Sequence, residues 1–125
     1  MRWNVGVCAL LLFALSACGG PAPSAALPQP AAFAACQTCH RITPGVNALG
    51  PSLAGLAERP IGSLAGYRYS PALQQLEGQW DEARLTAFLL DPNGVVPGTR
   101  MAYAGLDDRQ QAADVARYVL SLQGE

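Results

Sequence analysis

The sequence predicts an all-α chain of three to five short helices joined by long loops. Three observations predict it. Apolar residues recur at helical spacing in two stretches, at Leu85, Phe88 and Leu89 and again at Val115, Tyr118, Val119 and Leu122. No segment alternates as a half-buried strand does. Residues 41–65 are punctuated by Gly45, Gly50, Pro51, Gly55, Pro60 and Gly62 without a sustained period, and a loop that long in a compact domain is wrapped around something.

From the N-terminus, residues 5–15 form an apolar run behind Arg2. The run is shorter than the roughly 20 residues of a membrane span and fits the core of a signal peptide over residues 1–17. Leu15-Ser16-Ala17-Cys18 then reads as a bacterial lipoprotein cleavage signal. The expected chemistry is diacylglycerol on the Cys18 sulfur, cleavage before it and acylation of the new amine. Several chains on one residue anchor stably where one does not. Ordinary cleavage near Ala17, with Cys18 a bystander, is the alternative. Residues 19–30 carry four prolines in twelve residues. They favour extended polyproline II at about 3.1 Å per residue, a tether of at most roughly 40 Å.

The domain is expected over residues 31–125. Pro30 suits a first helical turn, and the helix runs into Cys36-Gln37-Thr38-Cys39-His40. This is C-x-x-C-H, the attachment signal for a c-type haem. Thiols three residues apart stack on a helical turn, placed for thioether bonds to one porphyrin edge, and the following imidazole can bind the iron. A zinc site would want a second ligand pair, and no other His or free Cys pair exists. A thioredoxin-like C-x-x-C would want a βαβ setting. Phe33 packs either near the haem edge or as a general core contact.

Ser70-Pro71 gives an N-cap and a first-turn Pro, opening a short helix over residues 71–76. Asp81 caps the next helix, Pro92 stops it, and Asn93-Gly94 makes a turn. Residues 95–101 approach Met101 in a non-helical run. Once the leader is removed Met101 is the only Met, and His40 is the only His in the chain. Electron-carrying haems commonly pair these two ligands. Asp107 with Gln110 resembles a capping box that opens the last helix, which Gly124 ends.

Composition agrees with a small domain. The 125 residues are 50% hydrophobic with a formal charge of −1, which argues against nucleic acid as a partner. There is no Lys, and every basic side chain is Arg. Cys8 falls in the leader, Cys18 in the lipobox and Cys36 and Cys39 at the haem, so no structural disulfide remains to propose. A folded part of about 95 residues has a modest core, to which a covalent haem adds apolar surface.

Taken together, Cys36 to His40, Gly50-Pro51-Ser52-Leu53-Ala54-Gly55-Leu56, Gly66-Tyr67-Arg68-Tyr69-Ser70, Trp80 and Pro97-Gly98-Thr99-Arg100-Met101 resemble class I cytochrome c. The resemblance is to its mitochondrial and bacterial photosynthetic-type branch, and it runs from about Ala31 to Leu122. It implies a small cytochrome c fold around one covalently bound haem. Cys36 and Cys39 would be thioether links, His40 the proximal ligand and Met101 the distal one. The Pro51 carbonyl would accept the His40 ring N–H. Arg59, Tyr69 and Trp80 would sit at the inner propionate, where a buried carboxylate needs donors. Thr99 would hydrogen-bond near the distal face, and Val115 and Tyr118 would pack the last helix on the first.

Departures from the family pattern carry expectations of their own. Leu73 stands where many relatives have Asn, and Phe88 where many have Tyr, which implies a drier distal pocket. Without Lys and with an acylated terminus, no amine is present to displace Met101 at alkaline pH. Positions where mitochondrial relatives carry lysines read Ala35, Asn93, Asp107 and Asp108, with Arg100 alone keeping a charge. Electron transfer is therefore expected to depend weakly on salt, with tethering raising the local concentration of partner.

The expected function is a membrane-anchored monohaem electron carrier rather than an enzyme. It would sit on the periplasmic side of a cell membrane, in a respiratory chain between a quinol-oxidising complex and a terminal oxidase. The alternative is the electron-accepting subunit of one dehydrogenase. A haem peroxidase or gas-binding protein would need a distal acid–base group that the sequence does not supply.

Overall fold

A computed structural model describes Gly20 and residues 25–124. The leader and the lipobox with Cys18 lie outside the described residues. Four α-helices and two 3₁₀ helices account for the regular structure: 3₁₀ Ala31–Thr38, 3₁₀ Leu56–Glu58, α1 Pro71–Gln74, α2 Glu82–Leu90, α3 Pro92–Val95 and α4 Arg109–Leu120. Among the described residues the only β pairing is an isolated bridge between Pro60 and Gln79. None of these helices is long and apolar enough to cross a membrane.

The helix starts follow from side-chain caps. Ser70 accepts from the Leu73 amide (3.2 Å), with Pro71 in the first turn of α1. Asp81 accepts from the Arg84 amide (2.7 Å) and opens α2. Each cap satisfies one of the amides a helix leaves without a partner.

Four boundaries differ from the sequence expectation. The helix after Ser70 ends at Gln74 rather than residue 76. Asn93-Gly94 is not a free turn but the middle of α3, because Asp91 caps the Gly94 amide at 2.9 Å and Pro92 suits its first position. The same proline, lacking an N–H, stops α2 and starts α3. The last helix is capped by Asp108 on the Gln111 amide (2.8 Å), not by Asp107. Two adjacent aspartates offer the same cap, and the buried register of α4 selects between them. Finally, α4 ends at Leu120, and Gly124 instead donates its amide to Glu58 (3.0 Å), tying the C-terminal end to the second 3₁₀ helix.

The core sits where α4 crosses α2 and both 3₁₀ helices. On α4, Ala112, Val115, Ala116, Tyr118 and Val119 are buried, facing Leu85, Phe88 and Leu89 of α2. The Glu82–Arg117 ion pair (3.0 Å) also joins α2 and α4, but both side chains are about half exposed, so it adds little. Phe33 is fully buried and meets Tyr118 edge to face, with ring centroids 4.9 Å apart. It is a core contact that packs the first helix on the last. Phe33→Ala is expected to cost about 3–5 kcal/mol, a large part of a marginal total. Denaturant unfolding of the haem-loaded protein checks this, and a loss below about 1 kcal/mol would place Phe33 outside the core.

The Pro-rich segment meets the domain at its described end. Residues 25–30 are non-helical. The Leu27 amide donates to Ser121 Oγ (2.9 Å), and the Tyr118 phenol donates to Gln29 Oε1 (3.4 Å).

Candidate functional site

A cavity of about 550 Å³ opens between the first 3₁₀ helix, the loop that follows it, α1, α2, α4 and the run before α4. Its wall includes Cys36, Cys39, His40, Gly50, Pro51, Tyr67, Tyr69, Leu73, Trp80, Phe88, Thr99, Arg100, Met101 and Tyr103. Leu53, Leu56, Leu85, Leu89, Val115 and Val119 complete an apolar lining. The wall contains no Asp, Glu or Lys and no second His.

His40 is fixed by the loop behind it. Its Nδ1 donates to the Pro51 carbonyl at 2.8 Å. A carbonyl only accepts, so the bond keeps the proton on Nδ1 and leaves the Nε2 lone pair free. Burial lowers the His40 pKa from its ordinary value, and the Pro51 bond opposes this more weakly. The ring is therefore neutral at pH 7, the state a metal ligand needs. The loop is itself braced: Asn47 accepts from the Ser52 amide (2.9 Å), and the Ser52 hydroxyl donates to the Thr43 carbonyl (2.7 Å).

Gly50 makes room for the ring. A Cβ on Gly50 would lie 2.6 Å from His40 Nδ1 and 2.8 Å from Nε2, closer than atoms pack. The sequence marks Gly50 only as a loop residue, and its role as a cradle becomes visible once the imidazole is placed. The one sequence signal is its position directly before Pro51.

Cys36 and Cys39 carry free thiols. The segment is 3₁₀ rather than α, and in that geometry side chains at i and i+3 eclipse. Cys36 lies in its last turn and Cys39 is its C-cap, so the two thiols stand one turn apart. The helix closes with the Cys39 and His40 amides both donating to the Cys36 carbonyl, at 3.1 and 2.9 Å. Burial pushes the Cys36 thiol up from its ordinary pKa, with Cys39 adding to the rise and a backbone hydrogen bond opposing it.

Met101 is partly buried on the same cavity, and its amide donates to Thr99 Oγ1 (3.3 Å). Tyr69 and Trp80 are both buried on the wall. The side-chain hydrogen bonds among the described residues include none from the Tyr69 phenol or the Trp80 indole. Trp80 is held by Phe88, with ring centroids 5.1 Å apart, and by the Arg84 guanidinium 5.8 Å from its ring. Arg59 is not brought to the wall. Its guanidinium donates to the Ala54 and Ser52 carbonyls at 2.6 and 2.7 Å. The loop's buried carbonyls need donors, and Arg59 supplies them, bracing the loop behind His40. Arg100 reaches back toward the Arg68 and Tyr69 carbonyls (3.4 and 3.5 Å).

Leu73 and Phe88 both line the cavity, where they place apolar surface against its contents. A low-dielectric wall disfavours the extra charge of an oxidised iron. Phe88→Tyr combined with Leu73→Asn is expected to lower the reduction potential of the haem-loaded protein. Redox titration checks it, and an unchanged or raised potential refutes the expectation.

The donor set fits a c-type haem: two free thiols on one helical turn, a neutral imidazole with a free Nε2, a thioether, unpartnered phenol and indole donors, and an apolar cavity. The profile of the Cytochrome c family matches residues 29–123. The chain belongs to the cytochrome c family. It is 44% identical over 93 residues to cytochrome c2 iso-2 of Magnetospirillum fulvum, covering 74% of this chain and 97% of that one. It is 36% identical over 110 residues to cytochrome c2 of Blastochloris viridis, covering 86% and 87%. Among solved structures it resembles cytochrome cH from Methylobacterium extorquens, with a TM-score of 0.65, 37% identity and coverage of 70% and 89%. This cytochrome carries one covalently bound haem c with iron and works as an electron carrier, not an enzyme.

Proposed function

We propose that the chain is a membrane-anchored, coordinatively closed carrier that passes single electrons between respiratory redox proteins. Cys36 and Cys39 hold the haem through thioether links, and His40 Nε2 and Met101 Sδ ligate the iron. Bound haem supplies a one-electron couple between ferrous and ferric iron. The observation that carries the reading is the shared cavity of Cys36, Cys39, His40 and Met101 with no carboxylate or second imidazole in its wall. Such a wall offers two ligands but neither the carboxylate nor the second imidazole that most often serves as the acid–base group in peroxide chemistry. His40 is oriented by the Pro51 bond, which also raises its basicity as a ligand. Tyr69 and Trp80 offer donors to a buried propionate. The apolar lining excludes water, which keeps reorganisation small.

The anchored part of the reading is supported by Leu15-Ser16-Ala17-Cys18 and the Pro-rich segment that follows. It places the domain on the periplasmic side of a cell membrane, within reach of a quinol-oxidising complex and a terminal oxidase. Cys18→Ser tests it. The haem-stained protein is expected to move from the membrane fraction to the soluble one, with its visible spectrum unchanged. A variant that stays in the membrane would overturn the lipid anchor.

A further inference from the structure

Five residues of the cavity wall are also exposed to solvent and so form its mouth: Ala35, Thr38, Leu49, Arg100 and Ala102. Ala35, Thr38 and Ala102 are small, so a flat surface can come close to the cavity there. Leu49 is the one large apolar side chain among the five and is 79% exposed. Its backbone is fixed on both sides. The Tyr67 phenol donates to the Leu49 carbonyl at 2.9 Å, and the Ala48 amide donates to the Gly50 carbonyl at 3.0 Å. The Gly50 amide in turn donates to the Cys39 carbonyl at 2.8 Å. A single exposed leucine is ordinary, but one held in place at the mouth of a redox site is preorganised for contact.

Positive charge gathers at one corner of this mouth. Arg100 is the only charged residue of the five, and its guanidinium lies 3.4 and 3.5 Å from the Arg68 and Tyr69 carbonyls. Arg68 is exposed and sits between Tyr67 and Tyr69, both on the wall. The ion pairs among the described residues are both made by Arg117, so neither Arg68 nor Arg100 faces a carboxylate of its own chain. Asp107 is felt elsewhere, at Tyr103: burial pushes that phenol up, and Cys36 and then Asp107 add to the rise.

We infer that this mouth is the docking surface for the protein that exchanges electrons with the haem, and that the partner meets it with an apolar patch over Leu49 and the alanines and a carboxylate opposite Arg68 and Arg100. The inference rests on the carrier reading. Electron transfer falls steeply with distance, and the mouth is where the haem cavity meets solvent. One electron passes between the iron and the partner's metal centre, and no bond forms or breaks. Charge complementarity selects the occupant. A second copy has no carboxylate among its own five mouth residues to meet the arginine corner, and a lipid surface would cover the electron's exit. One cationic corner sets the orientation of the partner without the long-range pull of a ring of charges.

The test places full-length, haem-loaded protein carrying Leu49→p-benzoylphenylalanine in washed membranes of its native host and illuminates it. Gln111→p-benzoylphenylalanine, at an exposed position on α4 off the cavity wall, is the comparison. Cross-linking from position 49 but not from position 111, to a protein that mass spectrometry identifies as a haem or copper protein, supports the inference. Cross-links to lipid alone, to a second copy alone, or equally from both positions overturn it. Oxidation of the ferrous protein by the same membranes gives an independent readout. Leu49→Ser is expected to raise KM about three- to tenfold with kcat kept, as loss of an interface anchor does, and Leu49→Met to restore it. Arg68→Gln is expected to raise KM at low salt and to lose that effect near 1 M salt, where screening acts within about 3 Å. An unchanged KM in Leu49→Ser overturns the surface and leaves the carrier reading standing. An unchanged KM in Arg68→Gln overturns the acidic corner of the partner. Membranes that never oxidise the ferrous protein, when ferricyanide does, would overturn the respiratory reading and this surface with it.

Discussion

Gly50→Ala is expected to destabilise the haem-loaded protein by about 2–4 kcal/mol. Overpacking against a fixed group costs about 1–3 kcal/mol, and a displaced imidazole also loses its Pro51 hydrogen bond, worth about 1 kcal/mol. The new methyl would meet the ring on three atoms, and the loop behind it cannot retreat. Asn47, Thr43 and Arg59 hold that loop through Ser52 and Ala54. The variant should also disturb iron ligation, because the ring it moves is the one that presents Nε2. Gly45→Ala is the comparison: Gly45 has nothing within 4 Å of an added Cβ, so only its positive φ of 70° is penalised, about 1–2 kcal/mol. Denaturant unfolding followed by haem absorbance separates the two. Equal losses, with normal ligation in Gly50→Ala, would mean that the loop yields and does not set the imidazole.

Met101→Ala is expected to lower the reduction potential by on the order of 0.2 V, within the roughly 0.8 V range that axial ligands set across haem proteins. It should also allow the ferrous protein to bind carbon monoxide, which the native protein should refuse. No second His, no Lys and no carboxylate stands on the cavity wall to take the place of the thioether. A potential and carbon monoxide reactivity both unchanged in the variant would remove Met101 from the iron.

The sequence made the helical core legible because its signals are local. The i, i+3, i+4 spacing of Leu85, Phe88 and Leu89 and of Val115, Tyr118 and Val119 marks buried faces, and all six are buried. Ser70 and Asp81 identify helix starts because a capping side chain acts only three residues away. The same locality explains the slips. Asp107 and Asp108 are equivalent in sequence, and only the packing of α4 against α2 chooses between them. Asn93-Gly94 carries a turn signal, but Asp91 reaches forward and makes helix of it.

The site was legible where its chemistry lies in one short word, as in C-x-x-C-H. It was less legible where a residue acts through a neighbour. Gly50 declares itself only when the His40 ring is in place. Arg59 read without its neighbours is a surface arginine, and only the fold brings its two carbonyl partners to it. Tyr67 ties Leu49 to the opposite loop across 18 positions in sequence, a contact that no local pattern encodes.

On the proposed reading, His40 and Met101 close the iron of a carrier. The far-red absorption of the native ferric protein tests it most directly, because a thioether bound to ferric iron gives a weak charge-transfer band there. The band is expected in the native protein and its loss in Met101→Ala. A native ferric protein without the band would mean an open or differently ligated iron, and the carrier reading would give way to one in which the haem binds small molecules.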